Sequence, residues 1–182
     1  KYVYFKLYNV SGYEAVGVQY YNDYLRHTRL GTRLVDLLNI KYIILTRDAM
    51  LNNRSPEVGD LIRHYKVVMK GDVLLLENLN VLPRIFPVHK AHVFKQSEEI
   101  LPAMSRSSFD PREVVILEEI PNVEISSEDI PSSESQAKIT HYFNRTIHVQ
   151  ASMATEGFLV LSEKFYPGWR AYVDRRPTPI YK

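Results

Sequence analysis

Leu159-Val160-Leu161-Ser162-Glu163-Lys164-Phe165-Tyr166-Pro167-Gly168-Trp169-Arg170-Ala171-Tyr172-Val173-Asp174 reads as a strand, an aromatic corner and a second strand. Short runs of Val, Leu and Tyr favour extended chain. Pro-Gly between them is a turn signal, because Pro presets φ at one central position and Gly accepts a positive φ at the next. The corner also carries the only tryptophan of the chain. Upstream, residues 137–143, 146–152 and 158–163 read as further strands, with turns at Asn144-Arg145 and Thr155-Glu156-Gly157. Short strands at even spacing with turns between them predict an antiparallel β-sandwich of jelly-roll type.

The first part of the chain reads differently. Residues 1–20 suggest a strand and a loop at Ser11-Gly12. Residues 21–38 read as helix, with Leu30, Leu34, Leu37 and Leu38 on one face, and Gly31 divides the stretch. Asn39 is a helix stop, and residues 40–46 then read as a strand buried on both faces, since Ile43, Ile44 and Leu45 show no polar alternation. Residues 47–59 form a loop, with Pro56 opening a short helix. Residues 65–69 and 73–77 flank Lys70-Gly71-Asp72 as a hairpin, and residues 84–94 form a strand that Pro87 confines to an edge or bulge. Residues 97–104 are helical, 114–117 a strand, and the Ser-, Glu- and Pro-rich residues 122–136 a surface loop. The expectation is an α+β chain: a mixed α/β part over residues 1–104, a connector over 105–136 and sandwich strands over 137–182.

Bulk composition narrows the function classes. The 182 residues include 23 Lys and Arg against 21 acids, a formal charge of +2, which is too balanced to argue for nucleic acid. With no cysteine, disulfides, thiolate metal sites and Cys nucleophiles are excluded together. The longest apolar runs are strand-sized, far short of the roughly 20 residues a spanning helix needs. The chain opens at Lys1 rather than Met and stops after Tyr181-Lys182, at the start of a further expected strand, so it is expected to be part of a longer polypeptide with its β-part truncated.

Four clusters offer chemistry. In the first, Tyr166 and Trp169 are placed to stack on sugar rings, with Arg170 and Asp174 to bond hydroxyls; the competing reading is a corner whose Trp plugs the core, the commoner role of a lone Trp. In the second, His141 and His148 face each other if Asn144-Arg145 is a two-residue turn, but a zinc site needs three or four ligands and no third is evident. His89 and His92 read as surface residues. In the third, Glu98-Glu99 and Glu118-Glu119 are adjacent pairs whose members point apart on a strand, so neither is the facing carboxylate pair of a glycosidase. In the fourth, Tyr20, Tyr21 and Tyr24 with Arg26, Arg29 and Arg33 suit a membrane-interface or phosphate-facing surface; the competing and commoner reading is an ordinary amphipathic helix with an Arg face. No phosphate loop, nucleophile elbow or dinucleotide fingerprint occurs.

Several stretches carry a family resemblance. Ser11-Gly12-Tyr13-Glu14, Leu37-Leu38-Asn39-Ile40-Lys41-Tyr42-Ile43-Ile44, Glu77-Asn78 with Leu82-Pro83-Arg84-Ile85-Phe86, and residues 157–162 through Tyr166-Pro167-Gly168-Trp169 to Val173-Asp174 follow one another in the order and rough spacing of the YfhO family. The chain resembles the C-terminal extracytoplasmic region of these bacterial multi-spanning proteins, which look like GT-C glycosyltransferases of the cell envelope. One departure is Arg175-Arg176 where the family has Gly after the Asp, which predicts a looser turn. The resemblance implies a non-catalytic domain on the outer face of the membrane, next to the transmembrane region of the same polypeptide and helping to position a glycan acceptor. The parent would use a polyprenyl-phosphate sugar donor, and its catalytic carboxylate would lie between membrane helices, so no catalytic residue, metal or cofactor is assigned to these positions. The alternative is a structural or assembly module without a ligand.

Overall fold

The computed structural model describes residues 10, 19–48, 58–123, 134–143 and 145–182. Most of residues 1–20, with the strand expected there and the loop at Ser11-Gly12, the helix start at Pro56 and most of the surface loop after Asn122 lie outside them. The fold is α+β and mostly β, with short helices and small sheets. It forms two units, residues 1–81 and 82–182.

In the first unit the helical stretch divides where Gly31 adopts φ 87°, giving α1 (Gln19–His27) and α2 (Arg33–Leu37). A side chain other than Gly meets steric strain at that φ, and a Cβ there would also lie 3.0 Å from the His64 ring. Asn39 ends α2 in the left-handed region, φ 57°, the conformation a helix stop adopts and Asn tolerates. β1 (Tyr42–Thr46), α3 (Val58–His64), β2 (Lys66–Lys70) and β3 (Val73–Glu77) follow. The strands form one antiparallel sheet in the order β1-β3-β2. Leu45, Leu74 and Leu76 turn inward and close a core with Leu61 and Tyr65.

β1 is not buried on both faces as its sequence predicts. It is an edge strand, and the alternate residues Tyr42 and Ile44 are 51% and 62% exposed. β1 pairs with β3 along one edge and packs on the core by one face, which residue type alone does not report.

A buried polar pin holds the first unit's joints. Asn78, almost fully buried, donates from Nδ2 to Asp36 Oδ1 at 2.8 Å and to the Ile40 carbonyl at 3.1 Å, and its Oδ1 accepts from the Asn80 N–H at 3.0 Å. Arg33 pairs with the other Asp36 oxygen at 3.5 Å. The side chain satisfies its own amide while tying α2, the entry to β1 and the exit of β3, as a buried polar group must. The Tyr65 hydroxyl accepts from the Gly31 N–H at 2.6 Å, and Tyr24 donates to the Leu34 carbonyl at 3.0 Å. Burial pushes both phenols above their ordinary pKa.

The second unit holds β4 (Ile85–Val88), β5 (Lys90–Val93), a 3-10 turn (Ser97–Glu99), α4 (Ile100–Met104), β6 (Val114–Leu117), β7 (Gln136–Phe143), β8 (Thr146–Ser152), β9 (Phe158–Leu161), β10 (Ala171–Val173) and β11 (Arg176–Thr178). The strands pair as β4-β9, β7-β8 and β10-β11, all antiparallel, and as β5-β6, parallel. The single strand expected over residues 84–94 is two strands, broken at His89. β9 pairs with β4 and not with its sequence neighbour β8, so strands on either side of the sequence-drawn connector share a sheet. Pro87 sits opposite Leu159 in this two-stranded sheet, where each strand has an open edge for a residue without an N–H.

Candidate functional site

The aromatic corner is built from a β-turn. The Trp169 N–H donates to the Tyr166 carbonyl at 3.2 Å, and Gly168 supplies the positive φ of 106° at the third position. Upstream, Glu163 fixes where the corner leaves β9. Its Oε2 accepts from Arg84 Nη2 at 3.3 Å and from the Tyr142 hydroxyl, and the Arg84 guanidinium lies 4.6 Å from the Tyr142 ring centre. Strand β4, strand β7 and the start of the corner therefore meet on one carboxylate.

Downstream, β10 and β11 close around Asp174-Arg175 with Val173 opposite Arg176. The loop is a two-residue one, and both residues are left-handed, φ 48° and 68°, the conformation of a type I′ hairpin. The turn is tight despite Arg where Gly was expected. The right-handed twist of the two strands selects this backbone, and Arg175 adopts it at a steric cost.

The predicted residues separate into neighbouring places. Trp169, half-buried, and Arg170, exposed, line an open hollow of about 260 Å³ together with Phe165, Tyr172 and Ile180. Tyr166, 40% exposed, stands at the other end of the corner turn. Asp174 lines a second shallow hollow of about 490 Å³ with Val173, Arg176 and Thr178. Sequence reasoning did not single out Phe165 and Tyr172. The signal for Tyr172 is its place two residues after Arg170, which leads into β10, a spacing that sets side chains toward one face of an extended chain.

His141 and His148 are directly opposite each other across β7-β8, as the turn predicts. His89 is not at the surface. It is 7% exposed, with Nδ1 3.0 Å from the Glu156 carbonyl and Nε2 3.0 Å from the Ser135 hydroxyl, which in turn accepts from the Ala154 N–H at 2.9 Å. A neutral ring satisfies this set when Nδ1–H donates to the carbonyl and Nε2 accepts from the serine. Gly157 permits the closure, because a Cβ there would lie 2.7 Å from the Val88 carbonyl oxygen and 2.8 Å from His89 Nδ1. Ser135 and His89 resemble a nucleophile and base in separation, but both are buried and no carboxylate is described as bonded to the ring.

Among the described residues, no cluster of three or more potential ligands is placed to hold a metal ion, and no helix is long and apolar enough to cross a membrane. No family model, no curated protein and no solved structure matches the chain.

Proposed function

We propose that the chain is a non-catalytic glycan-binding module whose site is the hollow at Trp169. The observation that supports this reading is the partial exposure of Trp169 at an open hollow it shares with Phe165, Tyr172 and the Arg170 side chain. Aromatic faces take the apolar face of a sugar ring, and a guanidinium donates to hydroxyls. The shallow, open shape suits one or two sugar units of a polymer, held weakly and quickly exchanged. Together with the YfhO-like order of sequence stretches, this reading makes the chain an extracytoplasmic domain of a polytopic, GT-C-like membrane glycosyltransferase. It would hold a cell-envelope acceptor near the membrane-embedded site and raise its effective concentration there. The finer architecture in this proposal is a jelly-roll-like sandwich in which the exposed faces of the second unit's strand pairs are covered.

The single tryptophan makes the test direct. The expected result is a quencher-accessible emission from the full chain that changes saturably with one class of cell-envelope glycan and is lost in Tyr172→Ala. An emission that no glycan moves would transfer the assignment to the structural alternative, a module that covers or assembles the transmembrane core. The resemblance supports that alternative too, since among the described residues the Asn78 bond to the Ile40 carbonyl and the β4-β9 pairing join three of its stretches through packing.

A further inference from the structure

We propose that His141 and His148 form a two-histidine site for a borderline divalent transition-metal ion of the Zn²⁺ type, on the open face of the β7-β8 hairpin. The register that starts with Phe143 opposite Thr146 at the turn sets His141 directly opposite His148, and it slips only beyond this pair, between Ile139 and His141, where Thr140 is an extra residue. The two ring centres are 5.8 Å apart and the rings meet edge to face at 71°. Two imidazoles that share a tetrahedral ion at nitrogen distances of about 2.0 Å bring their centres to roughly 5 Å, so small rotations about the side-chain torsions complete the chelate and the backbone stays in place.

The surroundings favour binding over a packing role. Both histidines are exposed, and among the described residues no hydrogen bond or ion pair engages either ring. Phe143 stacks on His141 with centres 6.0 Å apart and planes within 7°, and meets His148 edge-on at 6.4 Å. It limits the rotamers of both rings while remaining 59% exposed itself. Imidazole nitrogen selects zinc-like ions over the oxygen-seeking calcium and magnesium. With two protein ligands, the remaining positions hold water and stay open to a donor from another molecule, so the site is an exchangeable one and not a structural one.

Zn²⁺ titrated into the full chain, followed by the imidazole NMR signals, tests this, and the other four of the six histidines serve as internal controls. The expected result is that His141 and His148 shift together and saturate near one equivalent, that Ca²⁺ moves neither, and that His141→Ala or His148→Ala each weakens binding at least about tenfold. Both substitutions lie at exposed positions, so the fold survives them. Shifts confined to other histidines, unchanged affinity in either variant, or no saturation below millimolar Zn²⁺ would overturn the proposal.

Discussion

At His89 a single ring joins three separate pieces of the second unit: the break between β4 and β5, the β8-β9 turn through the Glu156 carbonyl, and the residue that leads into β7 through Ser135. The Ser135 hydroxyl bonds the ring at 3.0 Å and accepts from the Ala154 N–H, so it carries two contacts in a buried place. Ser135→Ala leaves a ring nitrogen and a backbone N–H without that partner. The expected loss is about 1–3 kcal/mol, read as a lower urea midpoint with unchanged m-value. An unchanged midpoint would mean that water replaces the hydroxyl at no cost.

Among the elements, the β10-β11 turn holds a left-handed arginine that the flanking strands impose. Arg175→Gly removes the Cβ strain, and the expected gain is up to about 1 kcal/mol, visible as a higher thermal midpoint; a loss would show that the Arg175 side chain makes a compensating contact. Local signals made much of this level legible. The β2-β3 hairpin follows from Lys70-Gly71-Asp72 between apolar runs, the helix break from Gly31 and the helix stop from Asn39, because each is decided within a few residues. What could not be read was set by distant partners. The pairing of β4 with β9 depends on which strand is brought alongside, and the burial of His89 depends on a serine far along the chain. Periodicity describes a strand's faces and is silent about its neighbour. At the candidate site, the Pro-Gly turn and Trp169 were legible, and the contribution of Tyr172 emerges only once β10 has a direction.

Over the whole molecule, each unit builds its own sheets and its own buried polar links, the first around Asn78 and the second around His89. Tyr24 and Tyr65 give the first unit a distinct response to alkali. Their phenols, raised by burial, stay protonated in the folded chain beyond about pH 10, where tyrosine in an unfolded chain ionises. The stability tied to them is complete below that pH and is lost as the pH rises further. Urea midpoints compared at pH 8 and pH 11 should fall, and Tyr24→Phe should flatten the fall; equal slopes in the variant would separate the effect from this residue. The β4-β9 pair has a consequence in time. During synthesis Ile85, Phe86 and Val88 emerge long before Phe158–Leu161 exists to cover them, whereas β7 and β8 can zip as soon as they are made. A nascent second unit therefore carries an open, sticky strand through most of its translation, and its yield depends on how fast the ribosome reaches Leu161 and on what shields β4 until then.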